Sequence, residues 1–405
     1  AQHILHGHTL GQKLAHIVEA CALIFRKLPN FVGINIGTAH AECVLVEHES
    51  NGACLALAVV WGKALAQGCK LGIHQCIYYK YIMQVNERYM RRCIELARYG
   101  QMHAAPNPMV GAVIVHGDRI IGEGYHAVCG KGHAEVNAIA SVRAADRALL
   151  CDSTMYVSLE PCAHYGKTPP CARLIVKTGI PRVVVGCVDP FAKVQGRGIA
   201  ILREAGVEVE VGVLDAECRA LNRRFITAQT KRRPYITLKW ARSADGFIDR
   251  WRDEAEGEAA ARLSSEASLM RVHQLRAMHQ AILVGHNTLR MDRPQLNVRH
   301  WAGNQPRRVV LGRVAEGELP AGWLAYADID TALAELYRTE GVQSLLVEGG
   351  QQTLQSFIDQ GLWDEAYVEL SPVVLGSGVP EPRMPVGVTL NEEHYFGATV
   401  WHYTE

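Results

Sequence analysis

Two hydrophobic periods alternate along the chain from Asn86 onward. Asn86 stands as the N-cap of an amphipathic helix running to Gly100. Pro106-Asn107-Pro108-Met109-Val110-Gly111 then makes a rigid turn, because each proline fixes φ and restricts its predecessor. The apolar run Ala112–Val115 predicts a strand, and a second strand ends in Gly122-Glu123-Gly124-Tyr125-His126. A helix opens at His133-Ala134-Glu135, a strand covers Thr154–Leu159, and a second helix begins at Cys171. Arg182–Val188 and Val207–Val213 continue the sheet, so the order is alternating α/β. Between them, Gly196-Arg197-Gly198 reads as a turn rather than a phosphate cradle.

The pattern restarts after the charged linker Lys231-Arg232-Arg233-Pro234. Tyr235–Trp240 alternates as a strand and leads into the turn Ser243-Ala244-Asp245-Gly246. A long helix, Ser264–His279, carries Leu269, Val272 and Leu275 at helical spacing. Ala281–Gly285 is a buried strand, and Asn287–Pro294 a polar loop with a proline stop. Leu345-Leu346-Val347-Glu348-Gly349-Gly350 runs a strand into a glycine pair that opens the helix Gln351–Gln360. Bare N–H groups there can meet a dinucleotide phosphate, although the spacing is not the G-x-G-x-x-G fingerprint.

Residues 1–82 lack a clear succession of capped elements. Their apolar stretches, around Ala20–Phe25 and Ala53–Trp61, are too short to span a membrane and follow no signal-peptide n-region. At Met83 the character changes, so the functional protein is expected to begin there. The preceding segment reads as an extension, with an over-extended reading frame one origin for it. The expected organisation is therefore an extension (1–82), a first domain (83–228), a linker (229–234) and a second domain (235–405).

A formal net charge of +1 over 405 residues makes no electrostatic case for nucleic acid. No apolar run is long enough to cross a membrane. Twelve cysteines in so long a chain suit a reducing cytosol better than a disulfide framework.

Three of the chemically distinctive residues have metal-ligand character. His133, Cys162 and Cys171 offer one imidazole and two thiolates, and Glu135 follows the His by two residues. Three protein ligands leave the fourth corner of a tetrahedral zinc open to water, and a nearby carboxylate can shuttle protons. This is the zinc deaminase signature, with eight residues instead of two between the cysteines. A closed structural site would need a fourth ligand, for which His164 is the nearest candidate. The other triplet of this kind, His40-Ala41-Glu42, has no Pro-Cys pair after it and reads as coincidence. Asn107 can offer its amide to a base or simply stabilise its turn. His126, beside the metal helix, is either a substrate contact or a structural histidine.

Pro106-Asn107-Pro-Met-Val-Gly111, Gly124-Tyr125-His126, His133-Ala-Glu135 and Leu159-Glu160-Pro161-Cys162 with Gly166-Lys167-Thr168-Pro-Pro-Cys171 resemble the RibD family of bifunctional riboflavin-biosynthesis proteins. The resemblance implies a cytidine-deaminase-like three-layer α/β/α domain followed by a dihydrofolate-reductase-like α/β domain. It implies zinc-dependent deamination of 2,5-diamino-6-ribosylamino-4(3H)-pyrimidinone 5′-phosphate, with Glu135 as the catalytic group and Asn107, His126, Lys167 and Thr168 against the substrate. It implies next an NADPH-dependent reduction of the sugar. Thr288, Asp292, Pro294, Leu296 and Arg299 match one reductase motif, and Val347-Glu348-Gly349-Gly350 a second. NADPH would then lie along Thr288, Asp292, Gly350, Gln351, Gln352, Thr353, Leu354, Gln355 and Ser356. Arg276, Leu296, Arg299 and Glu348 would face the phosphorylated substrate, since a guanidinium forks onto a phosphomonoester.

Three stretches depart from the family pattern. Ala260-Ala261-Arg262-Leu263-Ser264 stands where S-x-W-I-[ST] is usual, Val309-Val310-Leu311-Gly312-Arg313 where a strand usually ends in Asp-Ser, and Arg242 where a small residue is usual. The missing tryptophan keeps a rival open, in which the second domain is a binding or dimerisation module beside an active deaminase. Further rivals are a nucleobase deaminase and a zinc-stabilised scaffold. The expected partner is a small phosphorylated pyrimidine, with no nucleic acid and no membrane, in a cytoplasmic homo-oligomer.

Overall fold

The computed structural model describes the strand segments 31–36, 43–50 and 53–60, and residues 86–163, 169–191, 194–253, 258–395 and 397–404. Residues 1–84 and 85–405 form separate units. In the first, strands β1 (Phe31–Ile36), β2 (Cys43–Ser50) and β3 (Ala53–Val60) pair antiparallel in sequence order. The apolar run from Ala53 therefore becomes a strand, where the sequence pattern assigns no element. The Ala20–Phe25 stretch and the His40-Ala41-Glu42 triplet lie outside the described residues.

The second unit opens with the helix Glu87–Arg98, capped as anticipated by Asn86, whose Oδ1 accepts from the Arg88 N–H at 3.1 Å. A five-stranded sheet follows: β4 (Gly111–His116), β5 (Arg119–Tyr125), β6 (Thr154–Leu159), β7 (Arg182–Cys187) and β8 (Glu208–Val211), in the order β5-β4-β6-β7-β8. β4 pairs antiparallel with β5 and β6, and the rest are parallel. Strand alternation divides the core into two layers. Ala112, Ile114, Val157, Val183 and Val185 pack with Ala134, Ala138, Ala172, Ile175 and Leu202 of three helices. Val113, Val115, Tyr156 and Val184 pack with Met90, Cys93, Ile94 and Cys218 on the other face. The result is the anticipated α/β/α sandwich. Helix and sheet approach tightly at Gly124, where a Cβ would stand 2.3 Å from the Ala138 nitrogen, so only glycine lets the helix Ala134–Ser141 lie so near β5.

An eight-stranded sheet forms the second half: β9 (Tyr235–Arg242), β11 (Ala281–Gly285), β12 (Arg307–Leu311), β13 (Leu324–Tyr326), β14 (Ser344–Val347), β15 (Glu365–Leu370), β17 (Thr389–Tyr395) and β18 (Ala398–Thr404). Its order is β13-β12-β11-β14-β9-β15-β18-β17, parallel from β13 to β15 and antiparallel beyond. β10 (Phe247–Asp249) and β16 (Val379–Pro380) make a separate small ladder. Fully buried Trp363 and Phe357 anchor the core with Leu238, Leu283 and Leu345. The segment expected as a polar loop at Asn287–Pro294 is instead mostly the helix His286–Asp292. Leu289, 6% exposed, turns it onto the sheet, and Arg293 ends it in the left-handed region at φ 42° just before Pro294. Among the described residues no helix is long and apolar enough to cross a membrane.

The helix Arg223–Lys231 is anchored on the second half. Arg223 reaches Glu365 at 3.0 Å, and half-buried Arg224 donates to the Met278 carbonyl and lies 3.3 Å from His279 Nε2. Glu365, 1% exposed, also accepts from Thr237 Oγ1 at 2.9 Å and lies 3.3 Å from His402 Nε2. Burial opposes its ionisation, but the His402 hydrogen bond and the charges of Arg223 and Arg224 outweigh it and hold the carboxyl at about 2. A carboxyl depressed on folding stabilises above its unfolded value, and that stabilisation is lost as pH falls toward the folded value. Two pH units here correspond to about 3 kcal/mol. Urea midpoints should therefore fall between about pH 5 and pH 2, and Glu365→Gln should flatten that slope while lowering stability at neutral pH. An unchanged slope in the variant would count against this assignment.

Candidate active sites

The first site gathers ligands from three places. His133 is the N-cap residue of the helix Ala134–Ser141, Cys171 the first residue of the helix Cys171–Thr178, and Cys162 lies just past the end of β6. His133 Nδ1 lies 3.6 Å from Cys162 Sγ and 3.4 Å from Cys171 Sγ, and the three donor atoms all fall within 4.8 Å of one another. Nitrogen and sulfur ligands on one tetrahedral zinc, at bonds of about 2.05 and 2.3 Å, stand about 3.5 Å apart. The donor set and its spacing thus fit zinc. The Cys171 N–H donates to Cys162 Sγ at 3.2 Å, as helix N-termini favour thiolate. Cys171's thiol and His133 hold Cys162 far below the usual thiol range; sharing that hydrogen bond, together with burial, pushes Cys171 up. The hydrogen bond to Cys162 raises His133 against burial.

Glu135 is 3% exposed, and burial, with the Cys162 charge, pushes its carboxyl up to about 7. A carboxyl poised there can both take and give a proton at neutral pH. His126 is 2% exposed and packs edge-on against His133, with ring centroids 5.3 Å apart. Its Nδ1 lies 3.1 Å from the Gly132 carbonyl, which can only accept, so Nδ1 carries the proton. Nε2 is then the acceptor for the Asn107 amide at 3.1 Å. Burial holds this histidine below its ordinary value. The structure thus brings Asn107, His126, His133 and Glu135 to one place. Lys167, Thr168 and His164 lie outside the described residues.

Sequence reasoning marks Glu160 only as part of a motif. The structure gives it a function. Its carboxylate, 4% exposed, accepts from the N–H groups of Gly196 and Gly198 at 2.9 Å and of Asp189 and Ile199 at 3.3 Å. It therefore fills the start of the helix Arg197–Glu204, and the Gly196-Arg197-Gly198 turn cradles the protein's own carboxylate. A Cβ at Gly198 would lie 1.9 Å from the Pro161 carbonyl, so the glycine lets this turn close against the segment that leads to Cys162. The signal available in sequence is an acidic residue directly before Pro-Cys and a glycine pair far downstream, with nothing to pair them.

In the second half, a cleft of about 870 Å³ is lined by Thr288, Asp292, Gly285 and the run from Glu348 to Thr353. Gly350 caps the helix Gln351–Asp359 without a side-chain acceptor, and its own N–H meets Thr288 Oγ1 at 3.2 Å. A Cβ at Gly285 would stand 2.4 Å from Thr353 Oγ1, so strand and helix approach closely only because that residue is glycine. Apart from the Gly350 N–H that Thr288 takes, this helix start has no side-chain cap, and its first-turn amides beside a large cleft fit the pyrophosphate of NADPH. Leu354, Gln355 and Ser356 do not join this cleft. Leu354 is fully buried in the core, Gln355 bonds Asp359 and Arg383, and Ser356 bonds the Gln352 carbonyl, as helical periodicity turns them away. Asp292 is held by Arg252 at 2.7 Å, a partner that no sequence motif marks. The departing stretch Ala260–Ser264 also lines the cleft, as does Trp251, which is 69% exposed.

A second cavity, about 430 Å³, is lined by Arg276, Asp292, Arg293, Leu296 and Arg299. Arg276 pairs with Glu348 through both guanidinium edges, Nε–Oε1 at 2.9 Å and Nη2–Oε2 at 2.6 Å. Burial opposes charge on each, but the mutual attraction raises Arg276 and lowers Glu348. Glu348 lines the cleft and Arg276 the smaller cavity, so this ion pair stands between them, while Asp292 borders both. Leu296 is 3% exposed with φ 48°, while Arg299 is exposed and steered by Asn297 Oδ1 at 2.9 Å.

Fold and sites together define a zinc-type deaminase joined to a reductase. Residues 83–187 match the family described as cytidine and deoxycytidylate deaminase zinc-binding region, and residues 234–393 the RibD C-terminal domain. The riboflavin biosynthesis protein RibD of Aquifex aeolicus is 37% identical over 329 residues, covering 74% of this chain and 90% of the relative. That of Escherichia coli K12 is 33% identical, covering 72% and 89%. A crystal structure of the Thermotoga maritima diaminohydroxyphosphoribosylaminopyrimidine deaminase/5-amino-6-(5-phosphoribosylamino)uracil reductase matches at TM-score 0.70 and 34% identity, covering 78% of this chain and 98% of that one. Acinetobacter baumannii RibD matches at 0.70 and 32%, with the same coverage of 78% and 98%. The chain belongs to the RibD family. It is a bifunctional enzyme of riboflavin biosynthesis, with deaminase and reductase activities and with zinc and NADPH as cofactors. Phosphorylated pyrimidines fit its substrate class. The rival reading of the second half as a mere binding module gives way to these matches.

Glu160→Ala would leave four backbone N–H groups without their acceptor in a buried setting, at a cost of about 2–4 kcal/mol. The variant should unfold earlier in thermal scans by several degrees. A melting temperature equal to the parent's would show that water replaces the carboxylate at no cost.

Proposed function

We propose that the chain deaminates 2,5-diamino-6-ribosylamino-4(3H)-pyrimidinone 5′-phosphate and then reduces 5-amino-6-(5-phosphoribosylamino)uracil with NADPH. The observation that carries the first step is buried Glu135 beside the His133, Cys162 and Cys171 donor set. The two activities for which the Thermotoga maritima relative is named support these substrates. His133, Cys162 and Cys171 would hold zinc, which when bound supplies a Lewis acid for activating water. Glu135 takes a proton from the attacking water and returns it to the exocyclic nitrogen, which departs as ammonia. The Asn107 amide and the neutral His126 orient the pyrimidine, and Lys167 and Thr168 are assigned to the same substrate.

For the second step NADPH supplies the hydride, and the protein's part is to position both reactants. Thr288, Asp292, Gly350 and the amides from Gln351 to Thr353 would hold the nucleotide. Arg276 and Arg299, with Leu296 as an apolar wall, would hold the substrate phosphate in the smaller cavity. The Arg276–Glu348 pair keeps Arg276 aimed there. The domains are read as 83–228 and 235–405, with 229–234 between them. We read the enzyme as cytoplasmic and homo-oligomeric, acting on a small molecule without nucleic acid or membrane partners; the near-neutral charge supports the absence of a nucleic-acid partner.

Glu135→Gln should keep its zinc and lose deamination by at least about a thousandfold, read by ammonia release beside metal analysis. Near-parental turnover would sink the proton-shuttle role. Arg299→Ala should raise the reductase KM for the phosphorylated substrate roughly tenfold and leave NADPH affinity unchanged, as followed by NADPH oxidation and fluorescence titration. An equal loss for both ligands would move Arg299 out of the substrate site.

A further inference from the structure

The turn that carries Asn107 is pinned largely from outside its own sheet. Gln343 stands immediately before β14, and its backbone is fixed on both sides. Its N–H donates to Gln280 Oε1 at 2.7 Å, and its carbonyl accepts from the Tyr235 N–H at 2.9 Å. From that mount, the side-chain Nε2 reaches out and donates to the Pro106 carbonyl at 2.8 Å. This carbonyl belongs to the peptide that joins Pro106 to Asn107. Asn222, 2% exposed at the join of two helices, clamps the other end of the turn. Its Oδ1 accepts from the Met109 N–H and its Nδ2 donates to the Met109 carbonyl, both at 2.8 Å. The helix that follows Asn222 begins with Arg223, paired with Glu365 in β15, and Arg224, which holds Met278 and His279 at the end of the helix Glu266–Met278. Asn304 adds a third tie, donating to the Met102 carbonyl at 2.6 Å.

Gln343 and Asn304 belong to the reductase half, yet the segment they grip is the one that presents Asn107 to His126. We infer that Gln343 is a positioning residue for deamination: the reductase half holds the deaminase's substrate turn in register through the Pro106 carbonyl. The inference rests on the reading of Asn107 as a substrate contact. It assigns Gln343 no part in reduction, since Gln343 sits at the N-terminal end of β14, and the cofactor cleft opens at the strand's other end, from Glu348 onward.

The test is a double-mutant cycle in the full chain. Gln343→Glu keeps the size and removes the donor, and Gln343→Met does the same without adding charge. Each should raise the deaminase KM roughly tenfold with kcat within about twofold, while reductase kinetics stay at the parental values. In an Asn107→Ala background the Gln343 substitution should cost almost nothing further, because it acts through that side chain. A parental KM in both Gln343 variants, an undiminished effect without Asn107, or a parallel loss of both activities would each overturn the inference. The Asn107→Ala chain alone tests the reading beneath it. If that variant deaminates normally, Asn107 is not a substrate contact; if it is impaired while the Gln343 variants are normal, only the positioning role falls.

Discussion

Three donor atoms from three separate segments must meet within 4.8 Å, and the deaminase half is organised by that constraint. Two donors, the His133 imidazole and the Cys171 thiol, lie at helix N-termini; at the second, the backbone's partial positive charge favours thiolate and the Cys171 amide is free to serve Cys162. The third, Cys162, lies on irregular chain past a strand end, with no helix of its own to hold it. Glu160 supplies the missing rigidity two residues earlier. By accepting from four amides it ties the end of β6 to Asp189, to Gly196 and to the start of the helix Arg197–Glu204. A single carboxylate thus converts a loop into a fixed mount, and apolar packing alone could not supply that direction.

The reductase half solves a different problem. A reductase of this kind must hold large ligands, and two adjoining cavities offer open volume. The Arg276–Glu348 pair at their boundary is internally neutral and doubly bonded. An unpaired arginine there would need another counter-charge; paired, it can keep its charge while largely sheltered from water. The same logic recurs at Glu365, where two arginines and His402 share one buried carboxylate. Buried charge in this protein is used mainly where elements from different segments must hold a fixed relative geometry.

Much of this is legible in sequence because it is local. His133, Glu135, Cys162 and Cys171 announce themselves by residue type and spacing, and strands such as Thr154–Leu159 and Ala281–Gly285 are bounded as their apolar runs predict. The helix at His286–Asp292 escapes the pattern because it is short and mostly polar, and a single buried Leu289 decides its packing. The run after Gly349-Gly350 lines the cleft over fewer residues than its motif suggests, for a related reason. A motif lists consecutive residues, whereas a helix offers a cleft only one face, so Leu354 goes to the core.

What stays illegible is what depends on distant pairing. Asn222 lies 113 residues from Met109, and Gln343 lies 237 from Pro106; neither has local chemistry that marks it. Both contacts use a side-chain amide to satisfy a backbone group, an interaction any exposed turn could have made with water instead. Water would satisfy the same hydrogen bonds without fixing the turn's position. Substituting protein amides for water therefore makes sense only if position is the quantity at stake, and the turn concerned is the one that carries Asn107 toward the metal helix. The fusion of two catalytic domains then has a structural consequence beyond tethering: the second domain furnishes part of the wall against which the first domain's Asn107 turn is set.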